Sequence, residues 1–363
     1  MRARSLIFTL FLVAFILALL LFLSSDNQLT ITIGEDPGIQ KVAASDVPEL
    51  PKIIDIEPQL PLADPPLRIK AIYSTSWSAA SEKKLQYLIG LIKETELNAI
   101  VIDVKDYSGL VLYNTDLELP KKYEAVEPRI SQLNKLIKRL HDEGIYVIGR
   151  ISVFQDQRLA AARPDLALYS STTGQTWKDY KGLTWMDTAS HEVWDYNIAV
   201  AKEILARGFD EANFDYIRFA SDGDLNDIKY PFWDEKTLKT KIVREFFEYL
   251  RSAIPSGKLS ADLFGLVTVN KDGLGIGQHL EYAWPNFEAI APMAYPSHYF
   301  PGFIGLEKPA EHPYEVVKYS MDSAVKRIED FKIYASTTPM TAKMRPWFQD
   351  FDLGADYDAV KVR

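Results

Sequence analysis

From residue 67 onward, short apolar runs alternate with stretches in which apolar residues recur every three or four positions. The runs 69–73, 98–103, 146–150, 211–216, 259–263, 289–293 and 331–335 have strand length and predict seven strands. Between them, Leu85, Leu88, Ile89 and Ile92 fall at i, i+3, i+4 and i+7, the spacing of one helix face. Similar stripes run through Ile130, Leu133, Ile137 and Leu140, through Trp194, Ile198, Ala201 and Leu205, through Leu238, Ile242 and Phe246, and through Val317, Met321, Ala324 and Ile328. Gly144 and Gly208 stand where the second and third of these helices should stop. Only 155–188 is a long excursion with little periodicity.

Strands that alternate with helices imply βαβ units and a parallel sheet. Seven of them over residues 67–335 suit an α/β chain of the (β/α)8 TIM-barrel type. An open, doubly wound sheet is the structural competitor. It usually carries a glycine-rich first turn, whereas the first turn here, Ser74-Thr-Ser-Trp-Ser-Ala79, has no glycine. No eighth strand is visible after Ala335, so the barrel is expected to be incomplete, with 359–363 starting a last helix.

The amino terminus differs. Arg2 and Arg4 precede the run 6–23, whose only polar member is Thr9. That length just spans a bilayer core and exceeds the apolar core of most cleaved signals. It predicts a transmembrane signal anchor over 1–25, arginines cytoplasmic and the remainder on the extracytoplasmic side. Secretion after signal cleavage is the alternative. Residues 26–66 hold seven of the 20 prolines and many acids, and predict an extended linker. The expected domain is then 67–363.

Composition narrows the chemistry. Of 363 residues, 47% are apolar, as in a globular protein, and none is cysteine, which excludes disulfides, thiolate catalysis and cysteine metal sites. The net charge of −9 argues against a nucleic-acid partner. His141, His191, His279, His298 and His312 form no His-x3-His or His-Glu-x-x-His cluster, so no metal is expected. There is no Gly-x-Ser-x-Gly elbow and no phosphate loop, and no cofactor is implied. The oligomeric state is left open.

In a barrel of this type the site lies at the C-terminal strand ends and in the loops that follow. Those positions are rich in carboxylates and aromatic rings. Glycosidic bonds are broken by two flanking carboxyl groups, and aromatic rings stack on sugar faces. Asp215 and Asp262 end neighbouring predicted strands and are the catalytic candidates. Arg218 is placed to keep Asp215 ionised, and a drier setting would raise the pKa of Asp262. Candidates for substrate binding are Asp103, Lys105, Arg150, Trp185, Asp187, Arg218, Tyr295, His298 and Trp347. The competing reading of a strand-end aspartate is a turn or helix cap, and of Arg150 a structural salt bridge.

The run Gly208-Phe-Asp-Glu-Ala-Asn-Phe-Asp-Tyr-Ile-Arg-Phe219, followed by Ser221-Asp-Gly223, resembles a bacterial glycoside hydrolase-like domain family. Further matching stretches are Lys70-Ala-Ile-Tyr73, Val101-Ile-Asp-Val-Lys-Asp-Tyr-Ser-Gly109, Trp185-Met-Asp187, Glu192-Val-Trp-Asp-Tyr196, Ser260-Ala-Asp-Leu-Phe-Gly265, Pro292-Met-Ala-Tyr-Pro-Ser297 and Arg345-Pro-Trp347. The resemblance covers about 67–363. It implies a (β/α)8 barrel, a polysaccharide or oligosaccharide substrate and a two-carboxylate mechanism with Asp215 as nucleophile or base. The carboxyl end departs from it, because the family's last strand is missing. A glycan-binding or envelope-scaffold barrel without turnover is the second functional reading, and the partner carboxylate of Asp215 separates the two.

Overall fold

The structure, a computed structural model, describes residues 54–334 and 342–362. Within one sheet the strands β1 (Ala71–Ser74), β2 (Ala99–Lys105), β3 (Tyr146–Ser152), β4 (Glu211–Asp215), β5 (Leu259–Phe264), β6 (Ala289–Met293) and β7 (Lys343–Met344) run parallel in sequence order, and two further strands, Val111–Tyr113, antiparallel to β2, and Val126–Ile130, branch from β2. The helices α1 (Glu82–Glu94), α2 (Leu133–Asp142), α3 (His191–Ala206), α4 (Lys239–Ala253) and α5 (Pro313–Tyr334) connect them, and a short helix, Leu280–Ala283, stands between β5 and β6. The sheet curls until its two ends meet. Tyr73 and Trp347 pack edge to face with ring centres 6.1 Å apart, and Lys343 Nζ donates to Leu67 O at 3.0 Å.

The alternation of strand side chains sets two environments. Outward-facing Ile100, Ile102 and Val104 pack with Leu85, Ile89, Leu133, Ile137 and Val200 in the large core between sheet and helices. Each fully buried Leu or Ile contributes roughly 1.5–3 kcal/mol. Inward-facing Ala99, Val101, Tyr146 and Ile148 form a small apolar cluster with Leu62, Ile69, Ala71 and Trp347. The next inward positions along the strands are polar, and they build the site.

Part of the expected fold class is corrected. Among the described residues no helix is long and apolar enough to cross a membrane. The run 6–23 lies outside the described residues, so the transmembrane helix, and the membrane contact it implied, do not stand as part of the fold. The seventh strand is 343–344, not 331–335, and it comes from the region expected to hold no strand. Residues 331–334 finish α5, and Ala335 lies outside the described residues. The helix persists because Val316, Ser320, Ala324 and Arg327 continue its buried stripe and Lys326 pairs with Asp330 one turn on. Among the described residues β1 and β7 each pair with one strand, so the sheet is not a closed eight-stranded ring. What stands is an α/β fold whose seven parallel strands follow one another in TIM-like order.

Of the predicted linker, 26–53 lies outside the described residues. Residues 54–66 carry no helix or strand and lie against the N-terminal ends of the strands. Asp55 caps α2 by accepting from Asn134 N at 2.7 Å and Lys135 N at 3.1 Å. Leu62 N donates to Asp210 Oδ1 at 2.6 Å, and its side chain closes the inner apolar cluster. Gly208, with φ +109, leaves no room for a Cβ, which would sit 2.6 Å from Gln59 O. A chain beginning at residue 67 should therefore be about 2 kcal/mol less stable than one beginning at residue 54, from the lost cap and apolar cover. Urea unfolding of the two chains measures it, and equal midpoints would mean that this segment contributes nothing.

Candidate active site

Period-two alternation puts Asp103 on β2, Arg150 on β3, Asn213 and Asp215 on β4 and Asp262 on β5 on the inner face, towards the C-terminal ends. Strand register brings them together: Asp103 stands opposite Arg150, and Arg150 opposite Asn213. The Arg150 guanidinium holds three carboxylates at once. Its Nη1 donates to Asp103 Oδ1 at 2.7 Å, its Nη2 to Asp215 Oδ2, and its Nε lies 3.4 Å from Asp262 Oδ2. Tyr73 Oη donates to the other oxygen of Asp103 at 2.5 Å. Asp262 Oδ1 accepts from Asn213 Nδ2 at 2.9 Å and from Trp347 Nε1 at 2.8 Å. Beneath this layer Arg345 grips Glu211, which also accepts from Ser260.

Burial raises the pKa of two of the carboxyl groups. Asp262 is enclosed, and that burial, reinforced by repulsion from Asp215, raises its pKa to about 7 against the pull of Arg150, Asn213 and Trp347. Asp103 is also pushed up by burial, which outweighs Arg150 and the Tyr73 hydrogen bond. Burial, then Asp262 and Asp215, keep the Tyr295 phenol protonated well above its ordinary range. Arg150 is charged throughout: burial works against it, and Asp215, Asp103 and Asp262 prevail. After Asp215 the backbone turns sharply. Tyr216 has φ 53, a left-handed conformation that costs a residue with a Cβ of the order of 1 kcal/mol, and its N–H donates to Asp215 Oδ1 at 2.5 Å.

Because Asp262 holds its proton more tightly when folded, its contribution to stability is complete below about pH 4 and is lost as pH rises through about 7. Asp262→Asn has no such proton to lose. Its melting temperature relative to the native protein should climb by a few degrees between about pH 4 and about pH 8. A difference that stays flat over that range would show that Asp262 titrates as an ordinary carboxylate.

The other candidates scatter. Lys105 points into the core between sheet and helices, fully buried, 2.7 Å from Asp156 and 2.6 Å from Ser152 O. A register shift between Asp103 and Lys105 turns it away from the mouth. Asp187 is a turn cap that accepts from Ala189, Phe232 and Trp233 N–H groups at 2.7–3.0 Å. Trp185 is buried, its Nε1 on Asp179 at 3.2 Å and its ring against Arg218, centre to guanidinium 4.6 Å. His298 is on the surface, its ring centre 5.5 Å from that of Tyr295. Arg218 does not hold Asp215; Arg150 does.

Residues that the sequence did not single out complete the picture. Tyr73 and Asn213 orient the two outer aspartates; the period of two along β1 and β4 is the signal that would have found them. Exposed rings stand in the segments after strand ends: Trp77 after β1, Tyr107 after β2, Tyr180 after β3, Phe232 after β4, Phe300 after β6 and Phe348 after β7. Among the described residues no group of three His, Asp or Glu side chains is arranged to hold a metal ion.

No curated protein matches the chain. Among solved structures, it is similar to a hypothetical protein from Ruminiclostridium thermocellum: 37% identity, covering 53% of this chain and 96% of that one, TM-score 0.49. The glycoside hydrolase domain of PgaB (BpsB) from Bordetella bronchiseptica is 12% identical over 77% of this chain and 94% of that one, with a TM-score of 0.51, a likeness of fold. The α-galactosidase from Thermus thermophilus in complex with stachyose is 16% identical over 67% of this chain, TM-score 0.42, and the chain spans 48% of that enzyme. A family model described as "Putative glycosyl hydrolase domain" matches residues 71–363, and the chain belongs to that family.

Proposed function

We propose that the protein hydrolyses O-glycosidic bonds of a polysaccharide, with Asp215 as nucleophile or base and Asp262 as proton donor. The observation that carries this is the contrast between the two aspartates on neighbouring strands. Asp215 is ion-paired with Arg150, while Asp262 keeps its proton up to about pH 7. A glycosidase needs that division, because one carboxyl must give a proton to the leaving oxygen while the other meets the sugar ring or its attacking water. Tyr295 and Trp347 would line the sugar site beside them, and the exposed rings after the strand ends suit stacking on a chain of sugars.

A glycan-binding protein without turnover is the second reading. The full enclosure of Asp262 and the sharing of Arg150 by both carboxylates favour it, since a donor must reach the glycosidic oxygen. Incubation with a panel of polysaccharides, peptidoglycan included, separates the two. Hydrolysis releases new reducing ends in proportion to enzyme and time. Retention on a polymer without any release of reducing ends would support the binding protein and refute the hydrolase.

A further inference from the structure

Arg218 is a buried cation without a carboxylate partner. The residue is 8% exposed. Its Nη1 donates to Phe219 O and to Ser221 Oγ, both at 3.0 Å, and its guanidinium lies over the rings of Trp185 at 4.6 Å and Phe264 at 4.7 Å. Among the described residues no carboxylate comes within 4.0 Å of it. The fold treats its other enclosed guanidiniums differently. Arg150 has three aspartates, Arg327 has Glu281, Arg345 has Glu211, Arg207 has Glu203 and Arg129 has Asp106. Burying a charge costs several kcal/mol unless a partner offsets it. Burial lowers the Arg218 pKa to about 10, even though Asp215, Tyr216, Asp179 and Asp222 are near enough to favour its charge. The residue sits three positions after Asp215 and packs on Phe264, the last residue of β5, which also carries Asp262.

A second basic feature lies at the same end of the sheet. A hollow of about 670 Å³ is lined by Lys122, Tyr123, Glu124, Arg158 and Arg163 among others. Its walls belong to the excursions that follow β2 and β3, the strands of Asp103 and Arg150. Arg163 is paired with Asp165 and Glu192, but among the described residues Lys122 and Arg158 have no carboxylate within 4.0 Å. Lys122 and Arg158 are exposed and hydrated, so the need for an anion falls on the buried Arg218, beside the aspartates.

We propose that the glycan this site takes is acidic, a chain of sugars bearing carboxylate groups such as uronic acids, and that Arg218 receives one such carboxylate next to the bond-breaking pair. A planar guanidinium with unused N–H donors matches a carboxylate in shape and charge, and a ligand carboxylate supplies the partner that the fold withholds. Rings of Trp185 and Phe264 hold the guanidinium flat, so its donors are oriented before the ligand arrives. The inference rests on the glycan reading of the site and names its substrate class.

Asp215→Asn in the full chain, which keeps the ligand intact, is titrated by calorimetry with oligogalacturonate, oligoguluronate and oligoglucuronate, each beside its carboxyl-reduced, neutral counterpart. At least one acidic oligosaccharide should bind, and reduction of its carboxylates should weaken binding about tenfold or more. Adding Arg218→Met, which keeps the stem and its packing between the rings, should cause a loss of the same size for the acidic ligand and none for the neutral one. Adding Arg218→Lys should recover part of it. Melting curves verify folding, and Arg218→Met should melt no lower than its parent, since it removes an unpaired buried charge. Failure of all three acids to bind, or equal binding of acid and neutral forms, overturns the proposal. Failure of the hydrolase reading looks different: the native protein binds the acidic chain and never cuts it.

Discussion

Replacing Asp215 by Asn should lower turnover on a cleaved polysaccharide by about 10²–10⁴-fold while leaving the fold in place. Asn matches Asp in size and keeps an oxygen for the Tyr216 N–H, so the turn after β4 can survive. What it removes is the negative charge that would attack, or draw a proton from the attacking water. It also frees Arg150 Nη2, and substrate affinity should change far less than turnover. Circular dichroism and the melting temperature check the fold, and initial rates at saturating polymer give the turnover. Near-native turnover would make Asp215 a structural partner of Arg150 and no more.

The largest loss of stability is expected from Arg150→Met. One guanidinium serves Asp103, Asp215 and Asp262, all of them largely buried. Removing it leaves uncompensated carboxylates in an enclosed space, a loss of about 3–5 kcal/mol. The sign of its pH dependence follows. Without Arg150, Asp103 and Asp262 bind protons still more tightly in the fold than in the unfolded chain. The variant should therefore come closest to the native protein near about pH 5 and fall away as pH rises through about 7. Urea unfolding at both ends of that range measures it. A loss independent of pH would mean that the stem of Arg150 matters and its charge does not.

How much of this was legible in the sequence depends on the kind of contact. The first six strands follow from run length, and their C-terminal ends put Asp103, Arg150, Asp215 and Asp262 at one mouth. Which cation meets which carboxylate is a matter of strand register, which no local pattern contains. Arg218 lies three residues from Asp215 in the chain, yet Arg150, on the neighbouring strand, is its partner. The bulge that turns Lys105 into the core is likewise invisible locally. Trp185 belongs to the aperiodic excursion, and it is buried because that segment folds back in isolated bridges, Gln155 to Trp185 and Ala167 to Met186. β7 escaped notice because it has only two residues, and Trp347, three residues beyond it, is fixed by a bridge to Met293 and by its bond to Asp262. The exposed rings after the strands carry no signal of their own; only placing the strands shows that they surround one end.

The central claim is that this pair of aspartates breaks a glycosidic bond. Its most direct test is the release of reducing ends from acidic and neutral polysaccharides by the native protein and by Asp215→Asn, measured side by side from about pH 5 to about pH 9. Reducing ends should appear with the native protein, fall off as pH rises through about 7 and Asp262 gives up its proton, and be nearly absent with Asp215→Asn. Equal release by both proteins, or none from any polymer with the native protein, would contradict it.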